Sequence, residues 1–161
     1  MKNILVGIIT ITMLFGTLSG CTQAEPQAPS SDGKAADFTL PLLDGKSITL
    51  SAALKTKKVV LVFWTTWCPY CVKEVPAVES FYKKNSNTAQ VIAINLQESA
   101  QKVKSFVEKN AITYPVALDA QGVTGKLYGV RGIPAIVAID KDSKILYYGH
   151  SMEEMETKVS F

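Results

Sequence analysis

Buried-type strands alternating with helix-like segments, and an antiparallel pair at the end, predict an α/β domain with a mixed central β-sheet flanked by helices. Three observations carry that expectation. Val59-Val60-Leu61-Val62-Phe63-Trp64 is an unbroken apolar run, as expected of a strand buried on both faces. Residues 91–96 form a second such strand beyond a helical stretch. Residues 135–139 and 144–148, either side of Lys141-Asp142-Ser143, read as a hairpin.

The elements follow in order. Residues 38–42 and 47–50 are short strands around a turn at Asp44-Gly45, an N-terminal β-hairpin extension ahead of the main sheet. Ser51 is placed to cap one helical turn through Leu54. After the first buried strand, residues 70–84 have helical character, with Val72, Val75, Val78 and Phe81 three apart. Pro76 falls inside that stretch and should kink it. Residues 100–109 read as a polar-faced helix behind the second strand. Beyond Tyr114-Pro115 a short apolar segment reaches Leu118, and another helix is expected around residues 123–128. Ser151 begins a short final helix. The chain has 161 residues, enough for one core-bearing domain, expected over 36–161, and too few for two ordinary ones. No internal repeat is visible. The net charge is only +3, with Lys and Arg spread along the chain, so nucleic-acid binding has no support.

The N-terminus explains an odd cysteine count. Lys2 is followed by apolar residues 4–18 and then by Leu18-Ser19-Gly20-Cys21, the pattern of a secretory signal. That ending resembles the lipobox of bacterial lipoproteins, which implies a signal peptide over 1–20 and a lipidated Cys21 that takes no redox part. Three other readings of these residues stand. A retained membrane anchor is one, although about 15 apolar residues fall short of the roughly 20 a span needs. An ordinary signal cut near Ala24 and a buried core helix are the others, the last disfavoured by its terminal position. Residues 21–35, drawn largely from Pro, Ala, Gln, Ser, Asp and Gly, should form a flexible tether.

The chemistry concentrates in Trp67-Cys68-Pro69-Tyr70-Cys71, directly behind the first buried strand. Two cysteines three positions apart can close a small disulfide ring or stand as a dithiol. At a helix start the first thiol meets unpaired N–H groups and the positive end of the helix dipole. Both favour the thiolate, the attacking species in disulfide exchange.

Val-Leu-Val-Phe-Trp-Thr-Thr-Trp-Cys-Pro-Tyr-Cys, with Pro76 five residues after Cys71, resembles the thioredoxin superfamily. Phe38-Thr39-Leu40 with Asp44-Gly45-Lys46 upstream, and Tyr128-Gly129-Val130-Arg131-Gly132-Ile133-Pro134 downstream, are similar to its membrane-tethered, extracytoplasmic branch typified by TlpA and ResA. The resemblance covers residues 36–149. It implies a thioredoxin-like fold and a thiol–disulfide oxidoreductase, with Cys68 as nucleophile and Cys71 as resolving thiol. It further implies that Pro134 is a cis-proline facing the dithiol, where the backbone at Ile133 pairs with a substrate peptide and metal is kept from the thiols. Trp67, Pro69 and Tyr70 would edge the docking surface, although Trp67 also suits plain core packing. Glu74 would hold or relay the proton that Cys71 loses; from spacing alone the favoured reading is a solvated helix charge paired with a lysine, and with the resemblance the two stand even.

Two departures matter. Thioredoxin carries a buried Asp where this chain has Val62, and the dipeptide Pro69-Tyr70 is that of glutaredoxins. The dipeptide tunes thiolate stability and hence reduction potential. The resemblance implies no cofactor beyond a Cys68–Cys71 disulfide, and a monomer held to a bacterial membrane through Cys21. Its partners would be exported cysteine-containing proteins, apocytochrome c among them, with electrons from a membrane thiol carrier. A reducing direction is preferred, and a disulfide-introducing oxidant uses the same residues. A thiol peroxidase is a further alternative, because Thr65 lies three before Cys68, but Leu61 stands where those enzymes want proline. A copper chaperone would want three residues between its cysteines and a distant histidine. This chain has two, and His150 is expected at an exposed strand end. No metal site is expected.

Overall fold

The computed structural model describes residues 33–161, so the expected signal peptide and Cys21 lie outside the described residues. Seven strands and five helices follow in the order β1 (Thr39–Pro41), β2 (Ser47–Thr49), α1 (Leu50–Leu54), β3 (Lys58–Trp64), α2 (Pro69–Lys84), β4 (Ala89–Leu96), α3 (Ala100–Lys109), β5 (Val116–Asp119), α4 (Val123–Leu127), β6 (Ala135–Ile139), β7 (Ile145–Gly149) and α5 (Met152–Lys158). β5-β4-β3-β6-β7 form one sheet. β3 pairs parallel with β4 and antiparallel with β6, so the mixed sheet expected from the sequence is present.

β3 is central, and its all-apolar sequence follows from that position. Val60, Val62 and Trp64 face one core with Cys68, Cys71, Val78 and Phe81, while Val59, Leu61 and Phe63 face the other with Leu50 and Leu54. Alternate side chains of a strand point to opposite faces, so a strand covered on both sides needs apolar residues at every position. α2 runs through Pro76 despite the N–H that proline cannot offer to the carbonyl of Val72.

The β1-β2 hairpin lies against the β5 edge, where Leu42 bridges Ala117 and the Leu43 N–H donates to the Val116 carbonyl at 3.0 Å. A covered edge offers no free ladder to another chain. The cap expected from Ser51 is corrected. α1 starts two residues earlier than a Ser51 cap would have it, with Thr49 at its N-cap, and the Ser51 N–H is taken by Asp37 Oδ1 at 2.9 Å. The carboxylate reaches in from the segment before β1, a tertiary contact that local sequence does not display. Gly33 to Ala35, expected within the tether, bond to the β6–β7 turn. The Ala35 N–H meets the Ser143 carbonyl at 2.7 Å and the Ile145 N–H meets the Gly33 carbonyl at 3.0 Å. Among the described residues no helix is long and apolar enough to cross a membrane.

Candidate active site

The carboxyl ends of β3 and β4, the usual place for sites in open α/β sheets, carry the chemistry. β3 ends at Trp64, a three-residue loop follows, and Cys68 is the N-cap of α2 in extended conformation (φ −82°, ψ 111°). Pro69 at the first helical position fits its fixed φ and loses no hydrogen bond there. Cys68 Sγ accepts the N–H of Cys71 at 3.2 Å. The sulfur thus takes one of the four N–H groups that a helix start leaves unpaired, which favours negative charge on it once reduced. Cys68 and Cys71 are joined as a disulfide.

The Ile133–Pro134 peptide bond is cis. The Ile133 carbonyl oxygen stands 3.6 Å from Cys68 Sγ, which brings the sequence-distant loop against the disulfide. Trp67 and Tyr70 are 67% and 69% exposed, so both are on the rim, and the core-packing reading of Trp67 does not describe its place. A groove of about 330 Å³ is lined by Tyr70, Lys73 and Glu74 of α2, by the Gly132-Ile133-Pro134 loop and by His150. The Lys73 ammonium lies 5.6 Å from the centre of the Tyr70 ring.

Glu74 is on the groove wall with a structural partner. Its Oε2 accepts the N–H of Met152, the first residue of α5, at 3.0 Å. The expected lysine pairing is not what holds it. Thr65, which the peroxidase alternative needs beside the sulfur, is buried, and its hydroxyl has no hydrogen-bond partner among the described residues. His150 is exposed at the end of β7 as expected, and in addition its Nδ1 lies 2.6 Å from the Pro134 carbonyl oxygen.

One residue beside the site escaped the sequence reading. The Glu98 side chain is 5% exposed and clamps the loop that leads into Cys68. Its Oε2 accepts the Thr66 N–H at 2.7 Å and Asn95 Nδ2 at 2.8 Å, while Oε1 accepts the Thr66 hydroxyl and Lys102 Nζ, both at 2.7 Å. Burial pushes the carboxyl pKa upward, but the bonds from Asn95, Lys102 and Thr66 outweigh it and hold the group at about 2. Asn95 and Glu98 were readable as polar residues at the carboxyl end of a buried strand, and that position was the available signal.

A helix-capping disulfide opposite a cis-proline loop, on a five-stranded mixed sheet, defines a thioredoxin-fold dithiol/disulfide protein. The Redoxin family matches residues 30–160, and the chain belongs to that family. It is 31% identical over 148 residues to sporulation thiol-disulfide oxidoreductase A of Bacillus subtilis, across 89% of this chain and 87% of that protein. It is 35% identical over 152 residues to thiol-disulfide oxidoreductase ResA of Bacillus thuringiensis, across 90% and 87% of the two chains. A secreted disulfide oxidoreductase of Mycobacterium tuberculosis, homologous to E. coli DsbE, superposes with a TM-score of 0.66. It is 28% identical, and the match covers 75% of this chain and 92% of the other. The protein is a thiol–disulfide oxidoreductase.

Proposed function

We propose that this oxidoreductase works outside the cytoplasmic membrane, anchored through a lipid on Cys21, and reduces disulfides in exported proteins. The observation that carries the reading is the Cys68–Cys71 disulfide at the start of α2 with Ile133 beside it and a groove alongside. A substrate strand laid in that groove meets the backbone of Ile133 and brings its own disulfide to Cys68. The Cys68 thiolate attacks one substrate sulfur, forming a mixed disulfide and releasing the other sulfur as a thiolate that takes a proton. Cys71, deprotonated, then attacks Cys68 Sγ; the Cys68–Cys71 bond forms and the second substrate thiolate leaves. Two electrons pass to the substrate and none is stored elsewhere, so the disulfide is the redox group and no cofactor enters. A membrane thiol carrier would restore the dithiol. Apocytochrome c, whose haem-site cysteines must be reduced before attachment, is a candidate substrate, and nothing in these steps asks for a second copy of the chain.

Relatives named thiol-disulfide oxidoreductases support the exchange chemistry, and the reduction potential tests the reducing direction. Equilibrated with graded thiol/disulfide buffers, the protein is expected near thioredoxin's roughly −270 mV. A value close to DsbA's roughly −120 mV would make it an oxidant of exported proteins and overturn the direction. The anchor has its own test. Cells fed labelled palmitate should incorporate label into the wild-type protein and not into Cys21→Ala; equal labelling of both would refute lipidation there.

A further inference from the structure

We propose that His150 is a positioning residue: its imidazole holds the Pro134 carbonyl and thereby fixes the Ile133 backbone that docks a substrate chain. The inference rests on the docking reading above.

Toward the site, the last rung between β6 and β7 pairs Ile136 with Gly149. Beyond it the two strands separate, because Ser151 already serves as the N-cap of α5. Pro134 is buried at that open end of the ladder, and its carbonyl still needs a donor. A continued strand would have supplied a backbone N–H; here the side chain of His150 reaches back instead, with Nδ1 at 2.6 Å. A contact that short is favourable only if Nδ1 carries a proton and donates it to the carbonyl. The ring also lies along Gly132, where a Cβ would come within 3.9 Å of His150 Cε1. The imidazole therefore abuts the residues on both sides of Ile133, whose carbonyl faces Cys68 Sγ at 3.6 Å. His150 touches neither sulfur in the hydrogen-bond pattern; it acts through the loop.

Two conservative substitutions separate this role from a direct one. In His150→Asn the amide nitrogen takes the place of Nδ1 and keeps the donor to Pro134, while the Nε2 end is gone. In His150→Gln the amide reaches the Nε2 position and the Nδ1 donor is lost; His150→Ala loses both. Each variant is assayed on a disulfide-closed two-cysteine peptide and on hydroxyethyl disulfide, which has no peptide chain to dock. One positioning hydrogen bond predicts a KM for the peptide raised about fivefold in His150→Gln and His150→Ala, with kcat little changed. His150→Asn should stay within about twofold of wild type, and rates on hydroxyethyl disulfide should not separate the four proteins. His150→Asn as impaired as His150→Gln, or losses of equal size on both disulfides, would overturn the proposal. The comparison of Asn with Gln survives even if the alanine variant fails to fold. Wild type without preference for the peptide would instead sink the docking reading, whereas a preference shared unchanged by every variant sinks only the role of His150.

Discussion

Replacing Cys71 with serine leaves the protein joined to its substrate through Cys68, and turnover falls roughly a thousandfold or more, the scale of losing a nucleophile. The reason is positional. Cys68 precedes α2, beside the Ile133 carbonyl and the groove, so an incoming disulfide meets it first. Cys71 lies one turn inside the helix, bonded to Cys68 and packed in the core beneath it. Without Cys71 the first exchange proceeds and the second has no attacking sulfur, so the mixed disulfide accumulates. Cys68→Ser should lose turnover equally and trap nothing. Mass spectrometry of both variants after mixing with an oxidised protein substrate reads the result directly. An adduct on Cys68→Ser and none on Cys71→Ser would reverse the assignment.

Glu98→Ala should destabilise the fold by about 3 kcal/mol and loosen the approach to Cys68, because it leaves the Thr66 N–H and hydroxyl and the Asn95 amide without their acceptor. The same carboxylate makes stability depend on pH. Its pKa is held at about 2 against an ordinary 4.5, so the unfolded chain binds its proton first as pH falls. The contribution is present above the ordinary value and is lost progressively as pH drops from about 5 toward 2; it amounts to about 3 kcal/mol at most. Denaturant midpoints of wild type and Glu98→Ala, measured across that window, should converge at the acid end. Parallel curves would remove Glu98 as the titrating group. Glu98→Gln should fall between the two. With its amide oxygen at the Oε2 position it keeps the bonds from the Thr66 N–H and Asn95 Nδ2, and its N–H group at the Oε1 position can donate to the Thr66 hydroxyl, while the charged partner of Lys102 is lost.

Local pattern was sufficient where burial dictated composition. The β3 run could hardly be anything but a central strand, since every position from Val59 to Phe63 is closed to solvent. α3 was legible as a polar-faced helix because its lysines face outward. The dithiol was legible for a chemical reason: few roles ask for two cysteines three apart behind such a strand. What local pattern could not show was made by contacts between distant segments. Asp37 caps α1 from ahead of β1, Glu98 reaches back to Thr66, and Glu74 spends one oxygen on α5. None of these pairings leaves a periodic trace, because a carboxylate at a surface-like position reads the same whether its partner is water or a backbone N–H. His150 belongs with them: its place at a strand end was readable, and its bond to Pro134 was not.

The way Gly33 to Ala35 seat on the β6–β7 turn decides how force enters the domain. β6 runs antiparallel to β3, with Ile139 opposite Val59 and Ala135 opposite Phe63, so the β6–β7 turn is at the end of the sheet away from Cys68. Under the proposed anchor, a pull on the chain ahead of Gly33 would enter at that lower pole, about 20 Å of strand from the disulfide. That load would pass into β7 and the sheet, where Gly33 to Ala35 are bonded, rather than into the Thr65–Trp67 loop or the cis-proline turn. If the proposed anchor holds the domain by that pole, the reactive end turns outward and the part of the molecule that does no chemistry bears the pull.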